Sequence, residues 1–222
     1  MPMSFRACLL ALVLSCSLAM GCAASRIPEE MTDDGLMRVP SRRVAGVYRL
    51  PGASFVQYRR IMLEPPSVSL TAEWQRNHPE VTPAEIVRIL SESAQLLREE
   101  FTRELVHEGS YELTDDLAPD VLIVNLSIQA LHIPVPEVTV AAAERQCTTG
   151  PVKMKIVGEL RDAATGVLVG RLIMFVGEDR CGYSDFYLAS RATNAHERRV
   201  AFAKWSRLLN EALAVAKAEK PR

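Results

Sequence analysis

The amino-acid sequence predicts an α+β fold: a two-layer sandwich with two amphipathic helices on one face of a mixed, mostly antiparallel sheet of about four strands. Two observations predict this class. Apolar residues recur near every 3.6 positions after Thr82 and after Asn194, whereas apolar and polar residues alternate within 121–130 and 152–176. The predicted order of elements is strand, helix, strand, strand, strand, helix.

The first predicted strand runs from Arg60 to about Leu70, and Pro65-Pro66 within it indicate a bend, a bulge or an edge position. A helix follows from Thr82, which is the expected cap, with Pro83 in the first turn and Glu85 three residues after the cap. Because a helix joins this strand to the strand at 121–133, the two strands are expected to lie parallel. The helix ends at Gly109, and its apolar stripe comprises Ile86, Leu90, Ala94, Leu97, Phe101 and Leu105.

A hairpin is predicted over 152–176, with its turn at 162–166. If Leu160 faces Leu168, every apolar residue of one strand meets one of the other, whereas a slip of one residue would turn one apolar set to water. The other pairs in this register are Gly158 with Gly170, Ile156 with Leu172 and Met154 with Met174.

The last helix is predicted to begin with a capping box formed by Asn194 and Glu197. Its apolar stripe is expected to close the core, and the paired Arg198-Arg199 are expected to lie on a solvated face. The stripe comprises Ala201, Phe202, Trp205, Leu208, Leu209, Ala212, Leu213 and Ala216.

Residues 1–21 have the features of an export signal: Arg6 in a leader without acids, an apolar run too short to span a membrane, and small residues before Cys22. The run Leu18-Ala19-Met20-Gly21-Cys22 resembles the lipobox of bacterial lipoproteins, which implies lipidation of Cys22. Two alternatives are cleavage at Cys16, which leaves a very short apolar core, and an ordinary signal peptide with Cys22 as a bystander. The predicted divisions are a cleaved signal peptide at 1–21, a lipidated N-terminus and tether at 22–45, and one α+β domain at 46–222.

The residue after the lipidated cysteine bears on the destination. Ala23 stands where an Asp usually retains a lipoprotein in the inner membrane, so the resemblance implies the outer membrane with the domain facing the periplasm. The expected partners are the membrane, through lipid on Cys22, and an envelope protein of unknown identity, but no nucleic acid.

Two cysteines, Cys147 and Cys181, remain in the exported chain after Cys22 and the leader are set aside. The hairpin register above places them opposite each other if both strands continue outward, and an oxidising compartment favours a disulfide between them. Two free thiols or a metal pair are the alternatives, although no neighbouring His or Cys completes a metal site.

Composition and motifs give no sign of catalysis. The net charge of −1 provides no basic surface for nucleic acid, and the sequence lacks nucleophile elbows, zinc-protease motifs and phosphate-binding glycine loops. The four histidines, His78, His107, His132 and His196, have no second ligand or nucleophile at helical or strand spacing. We therefore expect no enzyme activity, no catalytic or metal-binding residues and no cofactor. A tryptophan, Trp74, is expected to pack over a sheet edge rather than to line a pocket.

Several short motifs together resemble a bacterial lipoprotein family known only as domain of unknown function 3313. The resemblance implies a lipoprotein of this fold, but the family has no established activity to carry over. The motifs are Leu36-Met37-Arg38-Val39-Pro40, residues 48–55 with Tyr58, Glu159-Leu160-Arg161-Asp162 with Thr165-Gly166, and Ala201-Phe202 with Trp205.

Two function classes follow. The first is a non-enzymatic accessory or binding lipoprotein that docks on another envelope component through an exposed sheet face or edge. The second is a carrier or sensor of a small apolar molecule or lipid. An apolar pocket between helices and sheet would favour the carrier, and an exposed apolar patch over a solid core would favour docking.

Overall fold

The computed structural model describes residues 30–133, 152–177 and 191–219. Over these ranges the chain forms eight strands and three helices. The strands are β1 (Met37–Val39), β2 (Gly46–Arg49), β3 (Arg60–Leu63), β4 (Ser67–Leu70), β5 (Glu112–Leu113), β6 (Val121–His132), β7 (Lys153–Asp162) and β8 (Leu168–Val176). The helices are α1 (Ala72–Asn77), α2 (Pro83–Thr102), which continues into a π-helical segment (Arg103–His107), and α3 (Arg191–Ala218).

The strands form one mixed sheet in the order β1-β2-β8-β7-β6-β3-β5, and β4 pairs with the far end of β6. The predicted parallel relationship is confirmed, because β3 and β4 both pair parallel with β6. Pro65-Pro66 fall between these two strands, where the lack of backbone N–H groups ends the first ladder. The remaining long strands, β6, β7 and β8, pair antiparallel as predicted.

The α+β class is confirmed, but the prediction of about four strands was wrong. The strands that the sequence did not reveal are β1, β2 and β5, and the predicted first strand is two strands, β3 and β4. Each of these has four residues or fewer, too short for an alternating pattern to stand out. The sheet also begins before residue 46: Met37–Val39 pair with β2, and Leu36 is fully buried, so part of the predicted tether belongs to the fold.

The hairpin is confirmed, but its predicted register was wrong by two residues. Leu160 lies opposite Gly170 rather than Leu168, and Ile156 lies opposite Met174. A slip of two residues leaves both apolar sets on the buried face, so alternation cannot distinguish the two registers. The turn decides between them: a bulge lies between Leu160 and Arg161, and Gly166 adopts a φ of +71°.

Strand β6 changes faces near its end. Leu122 to Ile128 alternate as predicted, but Ala130 is exposed with a φ of 55°, and the ladder is irregular between Gln129 and His132. The extra residue of a β-bulge reverses the alternation that follows it. Leu131 and Ile133 therefore face the core in place of Ala130.

The two long helices pack on the same sheet face, and their apolar stripes share one core with that face. The stripe of α3 is confirmed, with Phe202, Trp205, Leu209 and Leu213 all buried. The predicted start was wrong, because α3 (Arg191–Ala218) already runs through Asn194, which lies buried inside it.

The expectation for the paired arginines was also wrong in part. Arg198 is only 3% exposed and donates a 2.7 Å hydrogen bond to Ser93 of α2, whereas Arg199 lies more exposed near Glu99. Arg198 therefore belongs to the seam between α2 and α3.

Trp74, which the sequence led us to expect over a sheet edge, lies on α1 and is buried in the core, where its indole N–H donates a 2.7 Å hydrogen bond to the carbonyl of Ile133. The helices of the described part of the chain are all too short or too polar to cross a membrane.

Candidate functional site

An apolar cleft of about 300 Å³ lies between the C-terminal half of α3 and the part of the sheet formed by β2 and β8. Its sheet wall includes Val47 and Leu172, which lie directly opposite each other on these two strands. Its helix wall includes Leu209 and Leu213, and Val44 of the β1–β2 connection also lines it. Such a concave apolar site, at the low end of the size range of ligand pockets, is suited to binding an apolar group.

Small residues form part of both walls of the cleft. Gly170 contributes no side chain to the sheet wall, and Ala212 and Ala216 contribute only methyl groups one helical turn apart. A larger side chain at Ala212 would narrow the cleft, whereas a Cβ on Gly170 would stand 3.2 Å from Cδ1 of Leu160.

Strand β2 shows the effect of the cleft on burial. Gly46 and Tyr48, on the face away from the helices, are buried, whereas Val47 and Arg49, on the helix face, are only half-buried. A chain segment covers the outer side: Leu36 packs with Tyr48 and Leu168 in a second apolar cluster. At this end of the sheet, the face that is turned to the helices is therefore more accessible than the face that is turned away from them.

Two salt bridges cross from the sheet side to α3 at the rim of the cleft. Arg43 donates a 2.7 Å hydrogen bond to Glu211, and Arg49 pairs with Glu219 at the end of the helix. Arg49 also lies over the ring of Phe55, with its guanidinium carbon 5.9 Å from the ring centre. Each guanidinium uses one nitrogen in its ion pair, and neither makes another hydrogen bond to the described chain.

The segment that forms the sheet side of the rim is rich in arginine and free of acidic residues. Residues 35–63 contain no Asp, Glu or Lys, and the arginines in this segment are Arg38, Arg42, Arg43, Arg49, Arg59 and Arg60. The first four belong to β1, β2 and their connection, which borders the cleft.

Lys217, the lysine in the last turns of α3, takes no part in the rim. Its Nζ lies 3.8 Å from the ring centre of Tyr111, and burial lowers its pKa. Burial also raises the pKa of Tyr111 to about 12. This contact holds the end of α3 against the chain that follows the π-helical segment.

A row of ion pairs lies on the sheet face that is turned away from the helices, next to β1 and β2. Arg171 donates hydrogen bonds to Glu159 at 2.7 Å and to Asp34 at 2.6 Å, joining β8 to β7 and to the segment before β1. Burial opposes the charge of Arg171, but these two carboxylates raise its pKa above the ordinary value. These ion pairs hold the segment before β1 against the sheet. Leu36, which belongs to this segment, is thereby kept buried.

The predicted site residues, Cys22, Cys147 and Cys181, all lie outside the described residues. The corrected hairpin register no longer brings Cys147 and Cys181 directly opposite each other, so their disulfide stays a prediction without that support. His107, His132 and His196 are exposed, and His78 lies half-buried with its ring 4.7 Å from that of Trp74.

Sequence reasoning missed the cleft. In the sequence, nothing distinguishes the small cleft residues from other members of apolar faces; these residues are Gly170, Ala212 and Ala216. The available signal was the acid-free, arginine-rich segment, which indicates a basic surface but not a cavity beneath it.

No family model and no curated protein matches the chain. Solved structures with a similar arrangement include a PelC dodecamer from Paraburkholderia phytofirmans, at 10% identity over 74% of this chain and 96% of that chain, with a TM-score of 0.37. A protein of the domain of unknown function 330 family from Xanthomonas campestris is 10% identical over 75% of this chain and 88% of its own, with a TM-score of 0.39.

A minor lipoprotein from Acinetobacter baumannii is 12% identical over 71% of this chain and 94% of its own, with a TM-score of 0.35. Identities and TM-scores this low carry no argument about function. Membership of the domain of unknown function 3313 family therefore stays a prediction.

Proposed function

We propose that this chain is a lipid-anchored protein of the bacterial envelope that faces the periplasm and binds the apolar part of a small lipid-like molecule in the cleft. The observation that carries the proposal is the cleft itself, an apolar space of about 300 Å³ between helix and sheet. The role is binding rather than catalysis, because the charged side chains that line the cleft stand at its rim in ion pairs.

The anchor and its location rest on the sequence. The lipobox-like run before Cys22 supports lipidation, and Ala23 supports the outer membrane. Membrane fractionation tests the location: the protein is expected with outer-membrane markers, and banding with inner-membrane markers would contradict the sorting inference.

Docking on an envelope protein has less support in this structure. The large apolar side chains that are most exposed lie on separate elements, such as Met31 before β1, Val87 on α2, Phe175 on β8 and Val215 on α3. Scattered exposed apolar residues are normal for a protein surface. The docking role stays a prediction.

Binding of an uncharged fluorescent probe tests the proposed function. The whole chain carrying Cys22→Ala is purified without detergent, so that no attached lipid or micelle competes, and titrated with N-phenyl-1-naphthylamine. We expect saturable binding at one site. Ala212→Leu fills the cleft and is expected to weaken binding at least about tenfold, a change of about 1.4 kcal/mol.

Ala214→Leu is the matched control. Ala214 is exposed on the same helix and does not line the cleft, so the same substitution there should leave binding unchanged. Ala212→Leu should also unfold at the same or a higher urea concentration, because cavity filling commonly stabilises. Absence of saturable binding, or equal binding by both variants, would contradict the proposal.

A further inference from the structure

We propose that the molecule bound in the cleft is a single-chain amphiphile with an anionic head, whose tail enters the cleft while Arg43 and Arg49 hold the head at the rim. This inference rests on the proposed function and adds the charge of the ligand. The geometry that carries it is the position of two guanidinium groups at the mouth of an apolar space.

The two arginines have donors to spare. An arginine carries five N–H donors in a planar fork that suits a carboxylate or phosphate. Arg43 and Arg49 each use one nitrogen for Glu211 and Glu219, respectively, so further N–H groups remain for a second anion. A ligand head does not need to break either pair to bind.

The ion pairs that these two arginines already make compete only weakly with a ligand head. The side chains of Arg43 and Glu211 are 72% and 48% exposed, and exposed ion pairs contribute little because water and salt screen them. Glu219 follows the C-terminal end of α3, where the helix dipole disfavours an acidic group. Exchange of one carboxylate for another at either arginine is therefore nearly neutral.

The spare donors at the rim favour an anion. The charged side chains that line the cleft are two arginines, Arg43 and Arg49, and two glutamates, Glu211 and Glu219, and each glutamate pairs with one of the arginines. N–H groups that remain on the two arginines, at the mouth of an apolar cleft, match an amphiphile with a negative head better than a neutral lipid or a sugar.

Competition between two molecules with the same tail tests the inference. Dodecanoate and dodecanol are used at pH 8 to displace N-phenyl-1-naphthylamine from the whole chain carrying Cys22→Ala. We expect dodecanoate to bind at least about tenfold more tightly than dodecanol, and this preference to fall as salt is raised. Arg43→Gln and Arg49→Gln should each reduce the preference, and the double variant should abolish it, so that the acid and the alcohol bind alike.

Arg42→Gln is the matched control, because Arg42 is exposed on the same connection but does not line the cleft. Equal binding of the acid and the alcohol would overturn the inference and leave the proposed function intact. Failure of both to displace the probe would overturn the proposed function itself. A preference for dodecanoate that survives the double variant, or binding to anionic phosphatidylglycerol vesicles without displacement of the probe, would also overturn the inference.

Discussion

Gly158 of β7 lies beneath the indole of Trp205 of α3: a Cβ placed on this glycine would stand 3.0 Å from Cη2 and 3.1 Å from Cζ2 of the ring. The tryptophan is fully buried and also packs against Phe101, with ring centres 4.6 Å apart. The missing side chain on the sheet is what allows α3 to approach closely at this point. Further along the same helix the layers separate, and the cleft begins.

The first prediction concerns this close contact. Gly158→Ala should lower the free energy of unfolding by about 1–3 kcal/mol, because the added methyl overpacks the contact with Trp205. Urea unfolding measures the change. Combining it with Trp205→Phe, which shortens the ring, should cost less than the sum of the two single changes, by about 0.5 kcal/mol or more. Strict additivity would show that the two residues do not compete for the same space.

The second prediction concerns how the stability of the fold depends on pH through Asp162. Its carboxylate accepts hydrogen bonds from the Tyr58 hydroxyl at 2.9 Å and from the Thr165 backbone N–H at 2.8 Å. Burial alone would raise the pKa of Asp162, but the hydrogen bonds from Thr165 and Tyr58 lower it below the ordinary value. A carboxyl with a lower pKa in the folded state stabilises the fold fully above its unfolded pKa of about 3.9 and loses that contribution as the pH falls further.

Wild-type protein should therefore lose stability as the pH falls below about 4, and Asp162→Asn should show a shallower decline over the same range. The decline for Tyr58→Phe should be intermediate between these two, since this change removes one hydrogen bond to Asp162 and leaves those from Thr165. The measurement is the free energy of unfolding in urea at a series of pH values. Parallel curves for wild type and Asp162→Asn would contradict the assignment.

The third prediction concerns the anchor. Cys22→Ala should prevent incorporation of a radioactive fatty acid into the chain and stop its normal maturation, because the lipidated sulfur is absent. Cys16→Ala is the control and should label like wild type. Equal labelling of wild type and Cys22→Ala would contradict lipidation at Cys22.

The fourth prediction is the disulfide between Cys147 and Cys181. Closing a loop of about 35 residues should stabilise the fold by roughly 3–4 kcal/mol in the chain-entropy model. Peptide mapping without reduction, on protein purified from the envelope, should recover the two cysteines in one linked pair of peptides. Two thiols that react freely with an alkylating reagent would contradict it.

The long elements could be predicted from sequence because their periodicity extends over several turns or residue pairs. The hydroxyl oxygen of Thr82 caps α2 by accepting a hydrogen bond from the backbone N–H of Glu85, as the sequence position of Thr82 predicts. The start of α3 could not be predicted in the same way. Asn194 and Glu197 have the spacing of a capping box, but the helix already runs through them from Arg191.

The hairpin register was predicted wrongly and the cleft was not predicted at all, for a common reason. Both depend on features that the pattern of apolar residues does not encode. Alternation fixes which face a residue occupies but not which residue it meets two positions away, and here the bulge beside Leu160 decided the pairing. A cavity likewise depends on what is missing between two packed layers. Gly170 and Ala212 become informative only when the fold sets them in the same space.

The most direct measurement of the central claim is the position at which a bound amphiphile touches the chain. A dodecanoate analogue with a photoreactive diazirine at the end of its tail is added to the whole chain carrying Cys22→Ala, irradiated, and the labelled peptides are identified by mass spectrometry. We predict labels on the residues that line the cleft, most of which lie within 39–49 and 208–219 and the others at Phe55, Leu160, Gly170 and Leu172. We predict that these labels are lost in Ala212→Leu but not in Ala214→Leu. Labels concentrated elsewhere on the chain, or unchanged in Ala212→Leu, would contradict it.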